Sequence, residues 1–459
     1  MIALPDALIG DPLYLRLKEH LIESTGLAYY LDKDVDLARR LGRRLSTTGV
    51  EDCAAYLTIL RDPLRGPSEL DALIAEVTIG ETSFFRHQEH FDALRERVLP
   101  DLLARNQARN PPQRSLRIWC AGCADGPEPY SLAILLKREM AQQIRGCEVT
   151  ILGTDINRSS LAKAREGKFE EWALRATSEE IRRECFTKEG RFWTIAPEYK
   201  EWVCFQVHNL VEHSFPSLLN NLSAFDLIVC RNVMIYFGTE LMRRMIQQFH
   251  DSLVPCGWLL VGPAEPNMTC FTSFHAVNAP GVTLYQRPEQ SDLVRETFTM
   301  SPLPPLPAMP RHSTAHAPVI EPARPVLPTL ESVRHFANSG AWENAARCCE
   351  ELLKKDNLQA NVHFYHALVL EQMSKHGEAE SSLRRSLYLN RQSVLAHYYL
   401  GMFLQSRGDR REAARSFENT LNLLRSRPDA DSFADADGIT AAELKKLATM
   451  HLEILQGQV

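Results

Sequence analysis

No stretch of this chain approaches the roughly 18 uninterrupted apolar residues that a membrane-spanning helix requires, so membrane insertion is not expected. The opening residues, Met1-Ile-Ala-Leu-Pro-Asp-Ala7, lack a basic region followed by a long apolar run, and no secretory leader is read there. Positive charge is not in excess: 52 Lys and Arg stand against 58 Asp and Glu, for a net charge of -6. With an isoelectric point near 6.2, that balance argues against a nucleic-acid binder. The eleven cysteines are odd in number and scattered, several of them inside apolar strands. Cys120-x2-Cys123 has no second pair at metal spacing, so these read as small core or loop residues, with no metal site. The chain reads as reduced and cytoplasmic.

What is present divides into segments. A length of 459 residues allows about three domains. Residues 1–75 read as short helices, with Leu13, Leu17, Leu21 and Leu37, Leu41, Leu45 at helical spacing. From 116 to 287, strands at 116–121, 149–154, 203–207, 225–230 and 258–262 alternate with amphipathic helices, which implies a mainly parallel sheet covered on both faces. One helix opens near Pro129, with Leu132, Leu135, Leu136 and Met140 on one side. Another follows Thr239, read as its N-cap, and carries Met242, Ile246, Phe249 and Leu253. Residues 288–328 are proline-rich without period, an extended linker. Beyond it, Ala345, Ala379 and Ala413 recur every 34 residues, as do Cys349, Leu383 and Phe417. That is the tetratricopeptide period, so 329–459 reads as three repeats and a capping helix near 441–456, able to bind a protein or peptide.

The segment Leu116 to Leu136 is the most informative. An apolar strand runs into Gly122 and Gly126, and a helix follows; such a turn admits close approach of a ligand, and the helix N-terminus favours negative charge. The spacing G-x3-G is not the dinucleotide G-x-G-x-x-G. A second strand, Val149 to Thr154, ends at Asp155, where a carboxylate can accept from both ribose hydroxyls or cap the next helix. S-adenosylmethionine has no phosphate and tolerates the looser turn, and Glu128 can answer its ammonium group.

Five motifs occur in order: Glu81-Thr-Ser-Phe-Phe-Arg86; Cys120-Ala-Gly-Cys with Glu128-Pro-Tyr-Ser131; Thr154-Asp-Ile156; Asn209-Leu210; and Cys230-Arg-Asn-Val-Met-Ile-Tyr-Phe237. From about residue 10 to 287 the chain resembles the CheR-type chemotaxis receptor methyltransferases. The repeats, and Gly257-Trp-Leu-Leu-Val-Gly-Pro-Ala-Glu-Pro266, resemble a subset found in alternative chemosensory systems. The resemblance implies a Rossmann-like class I methyltransferase domain at 76–287, with a small β-subdomain at 186–206 and an N-terminal helical docking subdomain at 1–75. It implies transfer of methyl groups from S-adenosylmethionine to glutamates of a methyl-accepting chemoreceptor. Thr82, Arg86, Glu128, Asp155, Asn209, Leu210, Arg231 and Asn232 match cofactor-contacting positions, and Arg86 and Tyr236 match positions near the transferred methyl. Gly80, Asp125 and Pro127 depart from the family pattern, Gly80 where many members carry an Asn that contacts the cofactor. The β-subdomain looks shorter than in relatives that grip a receptor pentapeptide, which implies recognition without one.

A glutamate nucleophile, with an ordinary pKa of about 4.3, is ionised at neutral pH and needs no general base. Arg86 can orient that carboxylate or the cofactor's own; Tyr236 can hydrogen-bond or pack; His208 reads as structural. Arg39, Arg40, Arg43 and Arg44 form a basic strip if helical, either a receptor-docking face or a solvated face neutralised by Asp32, Asp34 and Asp36. The expected protein is a monomer. The alternatives are a weakly active adenosylmethionine-binding scaffold and a small-molecule methyltransferase.

Overall fold

The computed structural model describes residues 5–108, 115–213, 215–265, 270–289, 328–429, 431–433 and 439–456. The proline-rich linker, for all but its first and last residues, and Pro266 lie outside them. The chain divides into two compact units, one built from residues 1–217 and 222–287, the other carrying the C-terminal helices.

The first unit opens with helices Pro5–Ile9, Tyr14–Thr25, Asp34–Thr48, Cys53–Leu60 and Gly66–Val77. Leu17, Leu21, Leu37, Leu41 and Leu45 are at most 1% exposed and form their shared core, as helical periodicity requires.

Ten strands follow: β1 Ser115–Ala121, β2 Glu148–Asp155, β3 Lys168–Glu170, β4 Phe186–Glu189, β5 Phe192–Ile195, β6 Val203–Val207, β7 Phe225–Cys230, β8 Leu253–Val261, β9 His275–Ala279 and β10 Val282–Gln286. Seven make one sheet in the order β6-β2-β1-β7-β8-β10-β9. Its first five strands are parallel, and β9 and β10 close the edge as an antiparallel hairpin. Strand alternation feeds two cores. Leu116, Ile118 and Cys120 enter one with Ile151, Leu227 and Val229; Trp119 and Ala121 enter the other with Leu152, Ile228 and Cys230.

Three details differ from the sequence reading. The helix after Gly126 is Pro127–Glu139, and Tyr130 and every residue from Leu132 to Leu136 are at most 1% exposed, so it is buried all round and not on one side. Pro127 occupies its first turn, where a missing N–H costs nothing. The helix Thr239–Ser252 is capped by Gly238, with no side-chain bond, and Thr239 is already helical. The small sheet is β3-β5-β4, spanning 168–195, and β6 belongs to the main sheet, so the subdomain begins earlier than residue 186 and ends before 203.

The second unit stacks helices Leu330–Asn338 and Trp342–Lys355, Ala360–Gln372 and His376–Leu389, Val394–Ser406 and Arg410–Leu424, then Ala441–Gln456. Ala345, Ala379, Ala413, Cys349, Leu383 and Phe417 are all fully buried, the small residues letting paired helices approach. Two further features repeat at the same period. Asp356 and Asn390 each accept from the N–H two residues on, and His363 and His397 each bring Nε2 to 3.1 Å from the carbonyl six residues earlier. Together these close turns that have no proline. The turn inside each helix pair needs a left-handed residue: Gly340 at φ +75°, Ser374 at +57° and Gly408 at +82°.

Only Ser374 holds that conformation against its own Cβ, at about 1–2 kcal/mol. Ser374→Gly is therefore expected to stabilise the repeats by about 0.5–1 kcal/mol after the glycine's greater unfolded-state freedom is subtracted. Chemical denaturation followed by helicity measures it; a loss of stability would contradict it.

Candidate functional site

The C-terminal ends of β1, β2, β6 and β7 open into one cleft of about 1190 Å³ including its mouth. Every cofactor candidate from Gly80 to Asn232, and both catalytic candidates, Arg86 and Tyr236, line it. This is the end of a parallel sheet at which ligands bind.

At the turn after β1, the N–H groups of Gly122 and Cys123 donate to the Thr154 carbonyl. Gly122 (φ +74°) leaves room for Val233, whose Cγ2 would lie 2.4 Å from an added Cβ. Gly126 (φ +94°) leaves room for Ala164, at 2.8 Å. Both glycines thus permit close packing by protein side chains, and Gly122 also lines the cleft. Ala124, also left-handed at φ +49°, donates its N–H to Asp155 Oδ2 at 2.9 Å. Asp155 Oδ1 accepts from Asn157 N at 2.8 Å. Asn157, not Asp155, caps the next helix through bonds from Ser159 N and Ser160 N. Each Asp155 oxygen retains a lone pair for a ligand hydroxyl, and burial raises its pKa.

Glu128, on the first turn of the helix, meets Arg231 from the end of β7 at 3.0 Å, with side chains 14% and 2% exposed. Burial raises the Glu128 pKa against the pull of Arg231. Arg231 Nη2 also donates to the carbonyl of Arg86 and lies 2.9 Å from His87 Nδ1, which must be the acceptor because a guanidinium has no lone pair to offer. Burial, then Arg231, lower the His87 pKa. Only Oε2 of Glu128 is taken; Oε1 has no protein partner among the described residues.

Asn209 lines the cleft and also ties it to the helical subdomain. Its Nδ2 donates to Ser24 O at 2.8 Å, its Oδ1 accepts from Val211 N, and its carbonyl accepts from His213 N. Leu210 is 7% exposed and shares the core of Trp119. Asn232, left-handed at φ +59°, carries a buried Oδ1 without a partner among the described residues, the usual mark of a missing ligand or water. At the mouth, half-buried Arg86 donates from Nη1 to Glu81 O at 2.7 Å, and Tyr236 meets Tyr29 edge to face at 5.7 Å. Thr82 lies on the wall beside them, and next to Gly80 the nearest atom to an added Cβ is Ser160 Oγ at 4.0 Å.

The arginine strip is helical but largely committed. Arg44 grips Glu69 with two bonds, Arg40 reaches Glu76 O and Asp36, and Arg43 pairs with Glu76. Arg39 and Arg43 alone keep about half their side chains exposed, at 58% and 46%. The neutralising acids are Asp36, Glu69 and Glu76; Asp34 is instead held by Lys18 and Tyr14, and Asp32 faces Lys33. The sequence reading missed Tyr29, whose helical subdomain it assigned to docking, and Glu265, which accepts from four backbone N–H groups around the Arg231–Tyr236 loop. Adjacent Tyr29-Tyr30 was the one signal for the former.

Two outcomes follow from this geometry. Gly80→Asn has room and supplies polar atoms, so it is expected to tighten S-adenosylmethionine by about 2–10-fold, the worth of one net hydrogen bond, on calorimetric titration. Burial lowers the pKa of His90 to about 3. Because the unfolded imidazole protonates near 6.5, the native unit binds fewer protons below that pH; its stability is full above 6.5 and falls as pH drops toward 3. Between pH 6.5 and 4, His90→Phe is expected to remove up to about 3 kcal/mol of that loss in denaturant melts.

A family model described as CheR methyltransferase, SAM binding domain, matches residues 80–280, and one described as CheR methyltransferase, all-alpha domain, matches residues 13–78. The chemotaxis protein methyltransferase of Listeria innocua is 35% identical over 196 residues, 43% of this chain and 69% of its own. That of Borreliella burgdorferi is 31% identical, covering 54% and 86%. The probable biofilm formation methyltransferase WspC of Pseudomonas putida is 28% identical over 407 residues, 84% of this chain and 93% of its own. The paired acids Glu128 and Asp155 and the unpartnered Asn232 Oδ1 suit the ammonium and hydroxyl groups of S-adenosylmethionine. The chain belongs to the CheR chemotaxis methyltransferase family, with S-adenosylmethionine as its cofactor.

Proposed function

We propose that the cleft methylates glutamate side chains on the cytoplasmic helices of a methyl-accepting chemoreceptor, giving γ-glutamyl methyl esters. The observation carrying this reading is that the cleft has Arg86 and Tyr236 at its mouth while each of its carboxylates has another task, Glu128 and Asp155 in holding the cofactor and Glu81 in its pair with Arg175. The cleft's one lining histidine, His208, is held neutral by burial with its pKa lowered to about 3, so it has little proton affinity. A carboxylate acceptor, already ionised, needs no base.

S-adenosylmethionine, when bound, supplies a methyl group on a cationic sulfur. Glu128 Oε1 would hold the cofactor's ammonium group, and Asp155 would hold its ribose hydroxyls. Arg86 orients the incoming carboxylate through its remaining N–H groups. Tyr236, whose hydroxyl has no hydrogen bond among the described residues, would help keep water out of the mouth. The acceptor carboxylate would supply the electron pair of the new C–O bond, and the cofactor's sulfur would be the leaving group. The exposed parts of Arg39 and Arg43 give an acidic receptor helix its first contact, and the repeats bind a further protein segment as a tether. The reading places the protein in the cytoplasm.

Transfer of labelled methyl groups to receptor cytoplasmic fragments tests this. Base-labile label released as methanol is expected, and Arg86→Ala should lower kcat/KM by about 10–100-fold, the loss of a charge-assisted contact. Label on small molecules alone would overturn the glutamate assignment. Equal methylation with and without residues 329–459 would remove the tether.

A further inference from the structure

The loop after β7 is built around an anion that the chain itself provides. Asn232 is left-handed at φ +59°, and Val233 follows in the right-handed region at φ -116°, ψ -50°. That succession turns consecutive N–H groups to one side and forms a concave nest for negative charge. The carboxylate of Glu265, 4% exposed, fills it. Oε1 accepts from Val233 N at 2.7 Å and Met234 N at 2.8 Å; Oε2 accepts from Asn232 N at 3.0 Å and from Gly262 N. One carboxylate thereby fastens the loop after β8 to the loop that carries Arg231, Asn232 and Tyr236.

We infer that Glu265 is a positioning residue for the cofactor: it holds residues 231–236 in the left-handed turn that sets the Asn232 amide and the Tyr236 ring on the cleft wall. Left alone, an asparagine at this φ has cheaper conformations available, and the turn would relax. Four charge-assisted bonds to a single buried group outweigh that preference. Neither oxygen of Glu265 faces a positively charged side chain among the described residues, so the carboxylate serves the backbone alone. The inference rests on the cofactor cleft and not on the identity of the methyl acceptor.

Two substitutions disturb the clamp from opposite sides. Glu265→Gln keeps the shape but replaces an accepting oxygen with an NH2 group facing backbone donors. Gly262→Ala leaves the carboxylate and adds a methyl that would lie 2.7 Å from Glu265 Oε2 and 2.9 Å from Asn232 N. The test is calorimetric titration of the full chain with S-adenosylhomocysteine. Both variants are expected to bind at least tenfold more weakly, at an undiminished stoichiometry per folded chain. If Glu265 only supports folding, stoichiometry or melting temperature falls while the dissociation constant of the folded fraction stays within twofold, and that result overturns the inference. Should either variant not fold, hydrogen exchange of the 232–234 amides in the unliganded wild type decides: slow exchange supports the clamp, and exchange at the rate of an open loop overturns it. A wild-type chain that does not bind S-adenosylhomocysteine would instead refute the cofactor assignment.

Discussion

The ion pair between Arg231 and Glu128 is the contact on which the cleft depends. Removing two charges from water is expensive, and a lone buried pair rarely recovers that cost. Here the guanidinium brings in two more acceptors, the carbonyl of Arg86 and the ring nitrogen of His87. Three segments remote in sequence are fastened at one point: the helix after the glycine turn, the strand end of β7, and the 81–87 stretch that delivers Arg86. Loss of either partner would leave a buried charge unanswered, typically a penalty of about 3–5 kcal/mol, and loss of Arg231 would release all three segments together.

That rigidity bears on part of the backbone strain. Of the eight non-glycine residues at positive φ among the described residues, Phe85, His87, Ala124 and Asn232 lie in segments that form or adjoin the cleft. Such conformations persist only where the surroundings over-determine them. Ser131 Oγ accepts from the N–H of Phe85, Arg231 meets the ring of His87, Asp155 holds Ala124 by its N–H, and Glu265 holds Asn232. Gly122 and Gly126 do related work by letting Val233 and Ala164 pack where a Cβ would stand.

Much of this was legible in the sequence because its signals are local. Strand runs such as Leu227–Cys230, buried on both faces, read as apolar stretches, and the 34-residue period is visible in Ala345, Ala379 and Ala413. Motif order brought the cofactor residues together before any coordinate did. What escaped depends on contacts between distant residues. The β9 strand is short and mostly exposed, so it carries no apolar pattern. The sequence pointed to Asp32, Asp34 and Asp36 as the acids that could neutralise the basic strip, because Glu69 and Glu76 sit on another helix. Asn209 lines the cleft, but its bond to Ser24 O, 185 residues away, leaves no trace in the sequence. Glu265 shows nothing in sequence of the four donors that converge on it.

The Asn209–Ser24 bond has a larger consequence. It ties the end of helix Tyr14–Thr25 to the sheet, and beside it Gly26 leaves the space that Val211 and Leu241 occupy. Tyr29, three residues on, stands on the cleft wall against Tyr236. The helical subdomain is therefore a wall of the cofactor site as well as an outward face. A macromolecule whose grip on those helices altered that wall would shift the free energy of cofactor binding, and by reciprocity the cofactor would shift the macromolecule's affinity by the same factor. Such coupling would let the methyl donor report its presence to the acceptor before any bond is made.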